Sequence, residues 1–140
     1  MTDFPEAPPH VGRLEQKCFL VVCRDAPNSA DARRAHLKGH LDHVEKYWTR
    51  YITAGPIREP GEDALIGSVF LVLADTLDEA KSLMEGDPYI TCGMYESITY
   101  NEFSNSIGQF LGGKIWENAE TLAPRAAGGP TDNISKGVSA

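Results

Sequence analysis

The run LIGSVFLVLA, residues 65 to 74, is the feature that most constrains the fold. It is short, apolar and rich in β-branched and aromatic residues, which predicts a strand. A strand with one face in water alternates apolar with polar residues, but Leu, Val and Phe here occupy both alternating sets of positions. We therefore expect a strand that is covered on both faces.

Two more strands and a helix precede this run. KCFLVVCR (17–24) and RYITAGPI (50–57) predict strands, and a helix is expected from Ala30 to about Trp48. Along this helix apolar residues recur at helical spacing; they are Leu37, Leu41, Val44 and Trp48. With this stripe at the centre of the packed side, His40 lies at its edge, and His36 and His43 turn further toward solvent.

A second helix and a last strand follow. Thr76 and Glu79 form a capping box, so a short helix is expected to run to about Glu85, with Gly86 as its stop. An Asp87-Pro88 turn then leads into a strand at 94–103. The order β-α-β-β-α-β predicts an α+β, ferredoxin-like fold with a four-stranded antiparallel sheet.

Two helices can cover only one face of such a sheet. The second face would still be apolar, and a large exposed apolar face indicates association. We expect a homodimer packed sheet to sheet, or a higher assembly of dimers; the alternative is that the segment 104–140 covers this face.

The expected organisation is a proline-rich arm (1–16), one domain (17–103) and a C-terminal extension (104–140). Phe110, Ile115 and Trp116 make the first part of the extension too apolar for simple disorder, so we expect them to be packed. The Gly/Pro/Ser-rich end is expected to be flexible.

Composition excludes several classes of function. The net charge of −7 argues against nucleic-acid binding, which requires clustered Lys and Arg. No apolar run approaches the roughly 20 residues that span a bilayer, and the N-terminus lacks a signal core, so a cytoplasmic location is expected. The three cysteines lack framework spacing, and Cys18 and Cys23 are expected on opposite faces of one strand.

The sequence contains few catalytic motifs. It has no GxSxG elbow, P-loop or GxGxxG fingerprint, and no cofactor is expected. His36 and His40 form an HxxxH pair, but no third ligand stands at a suitable spacing, so no metal site is expected. A histidine and a carboxylate remain as candidates for proton transfer. Whether Asp87 takes part or only braces its turn stays open.

Three segments together resemble the YCII-related (YciI-like) family: AHLKGHLDHVEKYWTRYITAGPI, IGSVFLVLADTLDEAKSLMEGDPY and GMYESITYNEF. The marks are a histidine–leucine pair early in the first helix, the Ala-Gly-Pro turn, the Gly-Ser of the third strand, Asp-Pro-Tyr and Gly-x-Tyr-Glu. The resemblance covers about residues 17–103.

The resemblance implies a dimeric α/β barrel with a site built from a histidine, His40 or as second candidate His36, and from Asp87. His36, Ser68 and Tyr89 are expected to line the same substrate pocket. It also implies a cofactor-free lyase, with a dehydrochlorinase-like elimination, or an isomerase, acting on an aromatic-degradation intermediate or unsaturated acid. The alternative is a non-catalytic module that binds a small molecule.

Overall fold

The computed structural model describes residues 7–12, 16–109, 112–114 and 117 of the chain. The chain forms two compact units, one of Gln16–Phe103 and one of Met1–Glu15 with Ser104–Ala140. In the second unit, β5 (Ile107–Gly108) pairs with β6 (Gly113–Lys114). Phe110, Ile115 and Trp116, for which burial is expected, lie outside the described residues.

The larger unit contains the predicted elements in the predicted order, with one short helix, α3, in addition. The elements are β1 (Cys18–Asp25), α1 (Ala30–Lys46), β2 (Tyr51–Ile57), β3 (Gly67–Leu73), α2 (Leu77–Glu85), α3 (Pro88–Thr91) and β4 (Tyr95–Phe103). The strands form one sheet in the order β2-β3-β1-β4, and each neighbouring pair is antiparallel. The prediction of an α+β fold with a four-stranded antiparallel sheet is therefore confirmed.

The helices pack on one face of this sheet. Phe19, Val21 and Cys23 of β1 share a buried core with Phe70 and Val72 of β3. From the helices, Ala80, Leu83, Met84 and Tyr89 complete this core. Burial of these apolar side chains supplies the main favourable free energy of folding.

The second face of the sheet is aliphatic. Leu20 pairs with Leu71, and Val22 pairs with Val69, so these four side chains lie side by side on the face opposite to the core. All four are half-buried. Strand β3 is thus apolar on both faces, as the sequence predicts.

The apolar stripe of α1 does not lie where the sequence predicts. Leu37 is 46% exposed, Leu41 42% and Trp48 71%, and α1 contains no buried residue. The helix ends at Lys46, and Trp48 belongs to a 3₁₀ turn, Trp48–Arg50. The expectation that this stripe marks the packed side is therefore wrong. The prediction that His43 faces solvent is also wrong, because His43 is half-buried and its ring bonds the Leu83 carbonyl.

The start of α2 is as predicted. Thr76 Oγ1 accepts a hydrogen bond from the Glu79 amide at 3.1 Å, and Glu79 Oε1 accepts one from the Asp75 amide at 2.8 Å. The bond to Thr76 satisfies an amide that the helix leaves unpaired at its start, whereas Glu79 reaches the residue before the N-cap rather than the N-cap itself.

The end of α2 is also as predicted, because the helix stops at Glu85 and Gly86 is its C-cap. Gly86 has φ −78°, which is right-handed helical, so the position does not use the left-handed conformation that glycine allows. A glycine is needed here because of close packing: a Cβ at position 86 would lie 2.8 Å from His43 Cε1. The expected Asp87-Pro88 turn is the start of the helix α3.

The helices and the cysteines can be compared with the expectations about membrane spans and disulfides. No helix within the described part of the chain is long and apolar enough to cross a membrane. Cys18, Cys23 and Cys92, all within the described part of the chain, are not joined by disulfides.

Candidate active site

Asp87 is placed by the junction between α2 and α3. It is the N-cap of α3: Oδ1 accepts a hydrogen bond from the Tyr89 amide at 2.9 Å, and Pro88 occupies the first helical position. Asp is a favoured N-cap residue and Pro is favoured directly after it, so this local sequence specifies the start of a helix. The Asp87 side chain is completely buried. A buried carboxylate requires partners, and its second partner comes from α1.

That partner is His40. The Nδ1 atom of His40 lies 3.0 Å from Asp87 Oδ1 and 2.8 Å from Oδ2. Because a carboxylate can only accept, the proton of a neutral His40 resides on Nδ1, and Nε2 carries a lone pair. The His40 side chain is 15% exposed, so this lone pair is close to solvent while Asp87 is not.

Two aromatic rings hold the imidazole in place. The Tyr89 ring stacks on His40 with centroids 3.9 Å apart and an interplanar angle of 5°. The Phe70 ring meets it edge-on, with centroids 6.3 Å apart and an angle of 77°. The imidazole is thus fixed by one hydrogen-bonded edge and by two aromatic neighbours.

Close contact of α1 with α3 brings the two residues together. Gly39 precedes His40, and a Cβ at Gly39 would lie 2.9 Å from Pro88 Cγ. Real Cβ contacts are longer than this, so only glycine allows α1 to lie this close to α3.

A buried ion pair lies next to this His–Asp pair. Arg33 donates to both carboxylate oxygens of Asp25, at 2.8 and 2.9 Å. Burial raises the pKa of Asp25, but hydrogen bonds from Arg33 and Ser29 outweigh this effect and leave the pKa below its ordinary value. The hydrogen bond with Asp25 in turn raises the pKa of Arg33. The pair is therefore ionised under all ordinary conditions.

Arg33 also connects the site to the sheet. Its Nη2 atom, which also donates to Asp25 Oδ1, lies 3.1 Å from the Gly67 carbonyl oxygen and 3.3 Å from Ser68 Oγ and donates to both. Ser68 Oγ also accepts from the Tyr95 hydroxyl at 3.0 Å. The Tyr89 hydroxyl donates to the Arg33 carbonyl at 3.1 Å. Tyr89 therefore contacts both His40 and the backbone of α1.

Sequence reasoning missed Arg33 and Asp25. Arg33 precedes His40 by seven residues, which is two helical turns, so both lie on the same side of α1. This spacing is a signal in the sequence. It was hidden because the apolar stripe was assigned to the packed side.

The five predicted site residues are not all brought together. His40, Asp87 and Tyr89 are in contact, and Ser68 is joined to them through Arg33. His36 is half-buried on α1, and the side chain that bonds Asp87 is His40. Within residues 7–12, 16–109, 112–114 and 117, no three His, Cys, Asp or Glu side chains are grouped to hold a metal ion.

A separate groove lies between the end of α1 and α2. It encloses about 810 Å³, and its walls include His43, Tyr47, Arg50, Asp78 and Glu79. Neither His40 nor Asp87 lines it. The groove is therefore distinct from the His–Asp pair.

The geometry defines a class: an α+β domain with a ferredoxin-like sheet whose helix-covered side presents a histidine held by a buried aspartate. The chain matches the model of the YCII-related domain over residues 18–104, and it belongs to that family.

Known relatives are distant in sequence. Protein YciI of Escherichia coli O6:H1 and Protein YciI of Shigella flexneri are each 25% identical over 92 residues, which cover 61% of this chain and 94% of the relative. A solved structure with a similar fold is 5-chloro-2-hydroxyhydroquinone dehydrochlorinase (TftG) from Burkholderia phenoliruptrix AC1100, in complex with 2,5-dihydroxybenzoquinone. Its TM-score is 0.58 at 24% identity, over 66% of this chain and 96% of that one. This likeness shows a common fold.

Proposed function

We propose that this protein is a cofactor-independent acid–base enzyme, a lyase or an isomerase, in which His40 Nε2 removes a proton from a small-molecule substrate. One observation carries the proposal: both oxygens of the buried Asp87 hold His40 Nδ1, at 3.0 and 2.8 Å, which leaves Nε2 as the basic nitrogen. A histidine is the most common general base in enzymes because its ordinary pKa lies near neutrality.

The proton transfer proceeds as follows. Nε2 accepts a proton from a carbon or hydroxyl of the substrate, and the imidazolium that forms is stabilised by the Asp87 carboxylate. The bonding electrons that remain on the substrate either expel a leaving group, as in an elimination, or take up a proton at another carbon, as in an isomerisation. The histidine then returns its proton to the product or to water. No electrons are gained or lost.

The fold relative supports the choice of reaction class. TftG is a dehydrochlorinase, and a hydroxylated quinone is bound in its structure. The substrates proposed for this chain are of the same chemical kind: ring-derived or unsaturated compounds that carry oxygen next to the carbon that loses its proton. Tyr89, Ser68 and His36 are the proposed substrate-binding residues. Of these three residues, Tyr89 is the best supported as a substrate-binding residue, because its ring stacks on His40.

The experiment has two parts. The first incubates the protein with 5-chloro-2-hydroxyhydroquinone and measures release of chloride. The second follows exchange of ring C–H protons of 2,5-dihydroxybenzoquinone for deuterium in D₂O by NMR, which detects proton removal even when no group leaves. Catalysis is expected in at least one part.

Variants assign the roles. His40→Ala and Asp87→Asn are expected to lower turnover by about 10²- to 10⁴-fold. An asparagine keeps the N-cap, but its amide nitrogen would face His40 Nδ1, so the ring proton would move to Nε2 and the base would be lost. Asp42→Asn is the control, since it alters an exposed carboxylate of α1 that pairs with Lys38, and it is expected to keep full turnover. Full activity of both His40→Ala and Asp87→Asn, with native circular dichroism, would contradict the mechanism; binding without turnover would favour a non-catalytic module.

We also infer that two copies of the chain associate through the aliphatic face of the sheet, to form a dimeric barrel. The half-buried pairs Leu20–Leu71 and Val22–Val69 form the centre of that face. Burial of such a surface drives association. Light scattering at micromolar concentration is expected to give the mass of a dimer or of a multiple of dimers, and a monomer mass would refute this inference.

A further inference from the structure

Tyr51 is a buried group that the mechanism above does not use. It is the first residue of β2 and pairs with Val72 of β3. Residues paired across antiparallel strands lie on the same face of a sheet, and Val72 belongs to the core beneath the helices. Tyr51 therefore lies on the helix-covered side, where His40 and Asp87 also lie.

The Tyr51 hydroxyl has no partner. Its oxygen is shielded from solvent and forms no hydrogen bond with any described residue. Buried hydroxyl groups in native proteins are nearly always paired, because an unpaired one loses its hydrogen bonds to water and gains nothing in return. An exception of this kind at a candidate site suggests that a ligand supplies the missing partner.

The position of the ring connects Tyr51 to the His–Asp pair. Its centroid lies 6.0 Å from that of Phe70, and Phe70 meets His40 edge-on at 6.3 Å. The ring of Phe70 thus lies beside both Tyr51 and His40, which places Tyr51 near the His–Asp pair.

The charge environment keeps this hydroxyl protonated. Burial raises the pKa of Tyr51 to about 12, and the charge of Asp87 contributes to the rise. Tyr51 is therefore a neutral hydrogen-bond donor at any physiological pH.

The other hydroxyl groups nearby are already used. The Tyr95 hydroxyl donates to Ser68, and the Tyr89 hydroxyl donates to the Arg33 carbonyl. Of Tyr51, Tyr89 and Tyr95, Tyr51 is the one whose hydroxyl proton has no acceptor among the described residues and is still available to a ligand.

We propose that Tyr51 is a catalytic residue that donates a hydrogen bond to an oxygen of the substrate, next to the carbon from which His40 removes a proton. This inference rests on the function proposed above and narrows its substrates to compounds with a carbonyl oxygen on that neighbouring atom. When the C–H bond breaks, its proton forms the N–H bond at His40 Nε2, its electron pair forms a C=C bond, and the π pair of the carbonyl moves onto oxygen to give an enolate. The Tyr51 hydroxyl stabilises this oxyanion without giving up its own proton.

Tyr51→Phe is the direct test, because it removes only the hydroxyl. The matched control is Tyr100→Phe. Tyr100 is a half-buried tyrosine of β4 whose pKa burial also raises to about 12, and its ring lies under Lys81. Titration calorimetry with 2,5-dihydroxybenzoquinone measures affinity, and thermal melting of the ligand-free proteins measures stability.

We expect Tyr51→Phe to weaken binding of the quinone at least tenfold, whereas Tyr100→Phe changes it less than twofold. We also expect the melting temperature of Tyr51→Phe to equal or exceed that of the unaltered protein, since no hydrogen bond is lost. Three results would overturn the proposal: unchanged affinity of Tyr51→Phe, a melting temperature lowered by several degrees, or no binding of the quinone by the unaltered protein at millimolar concentration.

The outcome separates this inference from the proposed function. If Tyr51→Phe binds normally while His40→Ala and Asp87→Asn lose proton exchange, the role of Tyr51 is wrong and the base is correct. If Tyr51→Phe loses affinity while His40→Ala and Asp87→Asn keep full turnover, the base is wrong and Tyr51 still recognises the oxygen.

Discussion

The two long helices of this domain pack on the same sheet in opposite ways. Helix α2 buries Ala80, Leu83 and Met84 and leaves its charged residues in solvent, as amphipathic helices do. Helix α1 buries no residue completely, and it directs Arg33 and His40 inward while Leu37 and Leu41 are exposed.

This difference separates two tasks. Helix α2 contributes apolar area to the core, which stabilises the fold. Helix α1 contributes little apolar area and instead places Arg33 against Asp25 and His40 against Asp87. Removing charged groups from water costs free energy unless every charge is paired. A polar inner side of a helix is therefore a sign of function, and four predictions test the contrast.

The largest effect is expected at the inner side of α1. Arg33→Leu would leave Asp25 buried without its partner and would remove donors from Gly67 and Ser68. We expect a loss of about 3–5 kcal/mol in the free energy of unfolding, measured by urea denaturation. The neighbouring Arg34→Leu is the control: it breaks an exposed pair with Asp31 and is expected to cost less than about 1 kcal/mol. If Arg33→Leu and Arg34→Leu lost equal free energies of unfolding, the inner and outer sides of α1 would not differ in their contribution to stability.

The next effect concerns the packing helix. Met84 is fully buried in the core, and Met84→Ala is expected to cost about 2–5 kcal/mol, because the cavity that remains cannot close completely. Leu77→Ala on the same helix removes a side chain that is 41% exposed, so its expected cost is much lower. If the Met84→Ala and Leu77→Ala proteins were equally stable, the buried side of α2 would not contribute more to the stability of the core than its exposed side.

A smaller effect depends on pH. The pKa of Asp25 is below its ordinary value of 3.8, so its contribution to stability is complete above pH 3.8 and is lost as pH falls through the lower folded-state pKa. Melting temperatures between pH 7 and pH 2 are expected to fall more steeply below pH 4 in the unaltered protein than in Asp25→Asn. The control is Asp42→Asn, which alters the exposed pair with Lys38 and should leave the slope unchanged. If melting temperature fell in parallel with pH for Asp25→Asn and the unaltered protein, the loss of stability in acid would not come from protonation of Asp25.

The smallest effect is expected on the outer side of α1. Leu41 is 42% exposed, so Leu41→Ser should change the free energy of unfolding by no more than about 0.5 kcal/mol. Urea denaturation and light scattering on the same samples measure this. A larger cost together with a lower mass would mean that a second chain covers the apolar stripe in solution.

The sequence predicts the fold well because the fold depends on local patterns. The apolar run of β3, the capping box at Thr76 and the turn chemistry near Asp87 each act over a few residues, and their order specifies the sheet. The same reasoning fails for α1. A stripe of leucines normally marks the packed side of a helix, and here the demands of a site reverse that rule.

Parts of the site depend on contacts that exist only in the folded chain. The spacing of Arg33 and His40 places both on one side of α1, but no pattern pairs Arg33 with Asp25 at the end of β1. Tyr51 gives no signal in the sequence, since a tyrosine at the start of a strand is ordinary. Its significance comes from burial and an absent partner, which are properties of the folded chain.

Gly39 has a consequence for how this site can be adjusted. The contact between this residue and Pro88 sets the distance between two helices, and each helix carries one half of the His40–Asp87 pair. An alanine at position 39 would place a methyl group against Pro88, so one of the two helices or the proline ring would have to move. Neither the charges nor the identities of the two residues would change. The geometry of the pair thus depends on a spacer that lies outside the reacting groups.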